Sequence, residues 1–341
     1  MARKNATNND THPFAATLLH WWQAHRRELP WRGTADPYAI WLSEIILQQT
    51  RIVQGTAYWH RFMTEFPTVE RLAAATQDDV LRLWQGLGYY SRARNLHRAA
   101  RQIVEHGAFP HTFQELKQLP GVGDYTAAAI ASMAFGEDVA AVDGNVFRVL
   151  ARRFGIATAI NSTQGKREFT ALAQSLLPCG RAADFNQALM DFGAMVCTPQ
   201  SPHCSECPLW ESCEALATHC VQSLPVKERK VAVKARYFQY VYVRCRGHVA
   251  LHKRGAGDIW QGLWEPLLIE GEQPPAFEGV QALRLGVKHM LTHRRLIANF
   301  WLLECDIRPD LPGDYQWIEE SQLHRYAVPR LVELLYESLG Q

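Results

Sequence analysis

No part of the chain approaches the ~20 consecutive apolar residues that a membrane-spanning helix needs. The opening MARKNATNNDTHP carries basic residues but lacks the apolar core of a secretory signal. A cytoplasmic protein with no membrane partner is therefore expected. In that reducing compartment eight cysteines do not form a disulfide framework. An excess of one charge sign is also missing: 36 Lys and Arg face 34 Asp and Glu, a net +2 that selects no partner. The basic runs SRARNLHRAAR (91–101), RVLARR (148–153) and KERKVAVKAR (227–236) read first as solvated faces, and a surface that tracks phosphates needs independent support. Internal repeats and low-complexity tracts are absent. At 341 residues, with 47% hydrophobic residues, the chain suits one large and one smaller domain, or three small ones.

What is present changes character along the chain. Residues 13–217 read as nearly continuous helix-period segments, among them PYAIWLSEIILQQTRIVQGTAYWHRFM and FNQALMDFGAMVC. FPTVERLAAATQDDVLRLW has the pattern of a capped pair of short helices. The linker expected over 218–233 contains VQSLPVKERKVAV, and 234–341 alternates in the manner of strands before a closing helix, VPRLVELLYESLG. The expected fold is a mainly α region followed by a smaller α+β domain.

CTPQSPHCSECPLWESC (197–213) sets Cys197, Cys204, Cys207 and Cys213 in the spacing C-x6-C-x2-C-x5-C. Four thiolates can hold zinc or an iron–sulfur cluster. One knuckle with long arms on either side suits the wider cubane, yet spacing alone leaves zinc open. Cys179, Cys220, Cys245 and Cys305 have no comparable spacing.

Three further stretches carry chemistry. In LKQLPGVGDYTAAAIASMAF (116–135) a helix ends at Leu119-Pro120, Gly121-Val122-Gly123 turns, and a second helix starts near Tyr125. Bare N–H groups at that start can meet a phosphate, the helix-hairpin-helix arrangement. In AVDGNVFRVLARRFG (141–155) Asp143 precedes a helix that begins near Asn145, where it caps the helix and is held ionised by its N–H groups. In WLSEIILQQTR (41–51) Glu44 sits among Trp41, Ile45 and Gln48 on an otherwise apolar helix, so it faces inward with a raised pKa. One neutral and one ionised carboxyl make the pair that glycosidic cleavage requires.

The cysteine spacing resembles the [4Fe–4S] loop of the endonuclease III superfamily of DNA repair glycosylases. LPWR (29–32), SEIILQQT (43–50), GLGYYSRARNL (86–96), LPGVGDYTA (119–127) and DGNVFRVLAR (143–152) narrow the resemblance to the MutY-type adenine DNA glycosylases, nearly end to end over 14–217. The resemblance implies a helix-hairpin-helix glycosylase fold with a [4Fe–4S] cluster on the four cysteines. It also implies removal of adenine opposite 8-oxoguanine, or guanine, from duplex DNA by a monomer in base excision repair. By position, Glu44 is the acid that protonates adenine at N7, and Asp143 stabilises the cationic sugar, supported by Tyr125 and Asn145. Arg27, Trp31, Arg32 and Leu47 fall at adenine-pocket positions. Gln49 and Tyr89 wedge into the stack, with Thr50 and Leu87 beside the lesion. Related lyases place a nucleophilic Lys where this chain has Tyr125, so no Schiff base is expected.

GDIWQGLWEPLL (257–268) resembles the Nudix-like domain of the same family, here the expected 8-oxoguanine reader. The acidic box that a pyrophosphate hydrolase needs is missing. The family's Phe-Ser-His lesion-sensing loop becomes Leu291-Thr292-His293, in which Thr292 keeps the hydroxyl.

Overall fold

The computed structural model describes residues 11–228, 234–291 and 293–340. They form two compact units, one from the described parts of Met1–Glu70 and Arg98–Arg229, the other from Arg71–His97 with Lys230–Gln341. The stretch 71–97 groups with the C-terminal residues.

Helices α1 (Pro13–His25), α2 (Pro37–Leu47), α3 (Ile52–Glu65), α4 (Val69–Ala74), α5 (Gln77–Trp84), α6 (Ser91–His106) and α7 (Phe113–Leu116) come first. They are followed by α8 (Asp124–Phe135), α9 (Gly144–Phe154), α10 (Thr163–Leu176), α11 (Ala182–Met195) and α12 (Glu214–Ala217). Their starts are chemically marked. Asp36, Thr76, Thr112, Asp143 and Ser162 each accept a backbone N–H from the first turn that they precede. Among the described residues no helix is long and apolar enough to cross a membrane.

In the first unit α11 is the central post, packed on α1, α8 and α9. Leu18 and Trp22 of α1, Val149 and Leu150 of α9, Phe169 of α10 and Phe185 and Phe192 of α11 share one buried core. The contact of α9 with α11 is tight at Gly193, where an added Cβ would lie 2.6 Å from Asn145 Cβ and 3.1 Å from its Cα.

The second unit is built on a seven-stranded mixed sheet. Its strands are β1 (Lys234–Cys245), β2 (His248–Lys253), β3 (Trp264–Glu265), β4 (Leu267–Glu270), β5 (Gln281–Met290), β6 (Arg294–Cys305) and β7 (Gln316–Glu319). The order is β3-β2-β1-β6-β5, with β1 parallel to β6, β4 on β1 and β7 on β2. The alternation of β1 sorts its side chains between two buried faces. Phe238, Tyr240 and Tyr242 pack with Leu331, Val332 and Leu335 of the closing helix α13 (Arg330–Ser338), and Val241 and Val243 join Leu267 and Leu303 on the other side. GDIW, expected to be strand-like, is a turn, and strand begins only at Trp264. Gly257, Trp260 and Gly262 take φ of 94°, 60° and 81°, outside the extended range of a regular strand. Glu265, 1% exposed, is held by Arg254 at 2.6 Å and by the Tyr240 hydroxyl at 2.9 Å. Cys245 and Cys305 are register partners on β1 and β6. In the same unit Gln85 Nε2 donates to Glu333 Oε1 at 2.7 Å and Arg94 Nη1 donates to the Gln261 carbonyl at 2.8 Å.

Gly193→Ala should destabilise the first unit by ~1–3 kcal/mol, because the clash is with the backbone and β-carbon of Asn145 and no flexible side chain can swing aside. Thermal melting reads the loss, and an unchanged Tm would mean that α9 and α11 can slide apart freely.

Candidate active site

Glu44 lies in the last turns of α2, 7% exposed, with Ile45 and Ile46 buried beside it. Burial raises its pKa from 4.5 to about 7, and the charge of Asp143 pushes the same way. The hydrogen bond from Tyr125 and the charge of Arg32 oppose that rise. Tyr125, in the first turn of α8, also has its hydroxyl 3.2 Å from Met190 Sδ.

Asp143 is the N-cap of α9. Its Oδ1 accepts the N–H groups of Asn145 and Val146, both at 2.8 Å, and its Oδ2 accepts Asn145 Nδ2 at 2.8 Å. The sequence suggests a carboxylate held ionised by the helix start, but the balance is closer. Burial is the largest influence and moves the Asp143 pKa upward, while the three bonds and the Arg148 charge pull it back. The Asp143 charge is felt at Glu44 and favours the protonated form there.

The wall beside this pair holds a carboxylate that the sequence did not flag. Asp191 of α11 is fully buried and receives Arg32 Nη1 at 2.7 Å, Arg32 Nη2 at 2.9 Å, Arg27 Nε at 2.6 Å and Trp22 Nε1 at 3.0 Å. Burial alone would raise its pKa, yet Arg32 and Arg27 hold it below the usual carboxylate range. The fork of Arg32 also donates to the Arg27 carbonyl at 3.0 Å, so the two arginines are fixed as a unit. Trp31 is buried, its ring 5.8 Å from that of Trp59, and Leu47 closes α2 half-buried. An acid at helical spacing with apolar neighbours could have raised suspicion of Asp191, as it did for Glu44.

RVLARR is not a solvated face: Arg148 and Arg152 are 8% and 2% exposed. Arg148 donates to Asn145 Oδ1 at 2.8 Å, the Gly193 carbonyl at 2.6 Å and the Cys197 carbonyl at 2.7 Å. Arg152 reaches the carbonyls of Thr198 at 2.7 Å, Pro199 at 3.0 Å and Leu224 at 3.1 Å, and Cys197 Sγ at 3.5 Å. Arg92 likewise turns inward to the carbonyls of Leu87 and Gly88, at 3.3 and 3.4 Å.

Arg148 and Arg152 anchor the cysteine loop. Cys197, Cys204, Cys207 and Cys213 are all half-buried free thiols, and Cys207 senses the charges of the other three. Among the described residues no three His, Cys, Asp or Glu side chains converge to hold a metal ion. A polynuclear core several ångströms across does not ask its ligands to meet at one point, and an all-thiolate set suits it. The four thiols are the all-thiolate donor set that such a cluster takes.

The hairpin places its glycines differently from the sequence reading. The first helix stops at Leu116, and a turn with Val122 N–H on the Leu119 carbonyl at 3.1 Å leads into α8. Gly121 has φ 80° and Gly123 is the N-cap with φ −94°, while Val122 is buried. Lys117 and Asp124 pair across the turn at 2.6 Å.

Gln49 follows α2 in an exposed turn with φ 58°, and Thr50 beside it is half-buried. In the second unit Leu87, Tyr89 and His293 line one cavity of about 690 Å³. Leu87 is buried and Tyr89 is 50% exposed. Thr292 lies outside the described residues.

The raised pKa of Glu44 has a measurable sign. Its stabilising contribution is full below about 4.5, where both states hold the proton, and is lost as pH rises through about 7. Glu44→Gln removes that loss, so the variant should gain on the order of 1–3 kcal/mol over the parent at pH 8 and little at pH 5. Chemical denaturation at both pH values checks this, and a pH-independent difference would rule out a buried, protonated Glu44.

Residues 42–178 match the HhH-GPD superfamily of base excision DNA repair proteins, residues 197–213 the iron-sulfur binding domain of endonuclease III, and residues 239–338 the NUDIX domain. The adenine DNA glycosylase of Homo sapiens is 46% identical over 213 residues, 59% of this chain and 39% of that protein. The chain thus spans well under half the length of that relative. The adenine DNA glycosylase of Buchnera aphidicola subsp. Schizaphis graminum is 33% identical over 254 residues, 74% of this chain and 73% of that protein. A solved structure of a thermostable thymine-DNA glycosylase superposes with a TM-score of 0.56 at 33% identity, over 60% of this chain and 95% of that one. With the helical core, the iron–sulfur loop and the Nudix-like sheet all matched, the chain belongs to the MutY family of adenine DNA glycosylases.

Proposed function

We propose that the chain is a monofunctional adenine DNA glycosylase of base excision repair that hydrolyses the N-glycosidic bond of adenine opposite 8-oxoguanine, or guanine, in duplex DNA. The observation that carries this reading is Glu44, a buried carboxyl with a pKa of about 7, next to Tyr125 and within the field of Asp143.

At neutral pH part of the Glu44 population holds a proton, and it delivers that proton to N7 of an adenine turned out of the duplex. The C1′–N9 bond then breaks with its electron pair leaving on the protonated base. Positive charge develops at C1′, and the Asp143 carboxylate, aimed by Asn145 and the α9 N–H groups, stabilises it. Water adds to C1′ and gives its proton back to the carboxyl pair. Tyr125 stands where a lyase would need an amine, which supports hydrolysis without a covalent intermediate. Arg27, Arg32, Trp31 and Leu47 wall the adenine side, with Asp191 keeping both guanidiniums in register.

Cys197, Cys204, Cys207 and Cys213 would hold the [4Fe–4S] cluster. With four protein thiolates and no open position, its contribution is to fix the loop. At the hairpin, Gly123 has open space around an added Cβ and an unstrained φ, so neither packing nor torsion requires glycine there. A phosphate that approaches the exposed backbone at Gly121 and Gly123 gives that small residue a purpose. On the lesion side, the shared cavity of Leu87, Tyr89 and His293 supports contact with the base opposite adenine. Left-handed backbone at Gln49 and Tyr89 supports their role as wedges. Thr50 and Thr292 belong to the same reading through the family resemblance. The enzyme acts as a monomer where the DNA is, in the cytoplasm or nucleoid.

Single-turnover release of adenine from an A:8-oxoguanine duplex tests the assignment. Glu44→Gln should bind the duplex and lose ~10²–10⁴-fold of the excision rate, since Gln keeps the shape without a transferable proton. Near-normal excision would remove Glu44 from the mechanism. Borohydride added during turnover should trap no protein–DNA adduct, and efficient trapping would contradict the monofunctional reading.

A further inference from the structure

Two cysteines outside the 197–213 loop are brought together by the fold. β1 and β6 run parallel in unbroken register, from Lys234 beside Arg294 to Cys245 beside Cys305, so the two thiols close the ladder as neighbours. Strand alternation sends both side chains to the face that holds Val241, Val243 and Leu303. Neighbouring strands lie about 4.8 Å apart, within the Cα separation of roughly 4.4–6.8 Å that a disulfide spans. The two thiols are close enough to hydrogen-bond, and Cys305 Sγ also donates to the Arg244 carbonyl at 3.4 Å. Cys179, by contrast, is exposed in the first unit, and its neighbour is the Asp138 carboxylate.

The pair has one open and one closed member. Cys245 is 3% exposed, whereas Cys305 is half-buried at the end of β6 and is followed by exposed Asp306 and Ile307. A reagent from solvent therefore meets Cys305 first, with Cys245 behind it as the resolving thiol. Burial first, then the Cys245 thiol and the charge of Asp306, push the Cys305 thiol up to about 11. Because the thiolate is the attacking form, capture is slow at neutral pH. The state of the pair is then set by equilibrium with the thiols and disulfides around it. As small hydrophobes the two cysteines would add nothing that the aliphatic side chains on this face do not already supply. Side by side, they add a bond that carbon cannot make.

We propose that Cys245 and Cys305 are a reversible oxidation site, closed to an inter-strand disulfide by low-molecular-weight disulfides. The Cys305 thiolate attacks one sulfur of R–S–S–R, which forms Cys305–S–S–R and releases R–S⁻. Cys245 gives its proton to solvent and attacks the Cys305 sulfur. The Cys245–Cys305 bond forms and the second R–S⁻ leaves. The protein loses two electrons and two protons, and the small disulfide is reduced to two thiols. The new bond closes a loop that contains β2, β3, β4 and β5 and ties the parallel pair of the sheet covalently. A reducing compartment keeps the site open, and oxidising conditions close it.

The test equilibrates the folded full chain in mixtures of hydroxyethyl disulfide and its thiol, mercaptoethanol, followed by acid quench and digestion without reduction. Mass spectrometry should find a peptide joined through Cys245 and Cys305 in the oxidising mixtures, and should find it open again in excess thiol. Cys179 should carry only the mixed disulfide. Cys245→Ala should stop at a mixed disulfide on Cys305, and Cys305→Ser should leave Cys245 unmodified. The two variants remove opposite members of the pair, so a folding defect in one does not decide the result. Closure should raise the Tm of the parent by about 5 °C or more and leave that of either variant unchanged. The proposal is overturned if the folded parent yields no joined peptide at any ratio. It is equally overturned if Cys305 holds a mixed disulfide that Cys245 never resolves.

Discussion

The guanidinium of Arg148 joins three parts of the first unit that are far apart in sequence. It donates to Asn145 beside the cap of α9, to the Gly193 carbonyl near the end of α11, and to the Cys197 carbonyl that opens the cysteine loop. A cation 8% exposed is costly unless its donors are matched, and here they are met by oxygens from three segments. The position of Asp143 therefore depends on the cysteine loop through one side chain and one intermediate, Asn145 Nδ2 to Asp143 Oδ2. Arg152, one turn further along α9, binds the same loop at three carbonyls and a sulfur. Whatever orders the loop also orders the carboxylate.

The buried acids of this unit show that partners, not burial, decide charge. Asp191 and Glu44 are both nearly inaccessible. Asp191 meets two guanidiniums and an indole N–H and is drawn below the ordinary range. Glu44 has a neutral hydroxyl, a like charge at Asp143 and the field of Arg32, whose bonds go to Asp191, and it rises to about 7. Because Asp191 takes up Arg32, that cation is not available to pair closely with Glu44. The proton-holding acid thus exists partly because a second acid absorbs the nearby arginines.

Much of this was legible in the sequence, for reasons that also mark the limit. Asp143 could be read as a cap and Glu44 as an inward acid because both judgements use local information: a capping residue before a helix, and helical spacing among apolar neighbours. The cysteine spacing was equally local. Arg148 and Arg152 misled because a run of arginines looks the same whether its acceptors are water or carbonyls from residues 45 to 72 positions away. Asp191 escaped for the same reason, its partners lying some 160 residues upstream. The turn at Trp260 was hidden by composition, since Ile and Trp beside a strand resemble more strand until the left-handed backbone is seen.

The glycines show how far packing alone can account for this chain. Gly193 is small because α9 crosses there, and Gly165 because an added Cβ would fall 2.1 Å from the Ala159 carbonyl oxygen. Gly121 is a torsional requirement, with φ 80°. Each of these is explained inside the molecule. Gly123 is not: its φ is ordinary and nothing lies within 4 Å of an added Cβ. Glycine in a helix start normally costs stability relative to a side-chain cap. Its place is the exposed N-cap of α8, where glycine is among the accepted residues and leaves the helix start uncovered by any side chain.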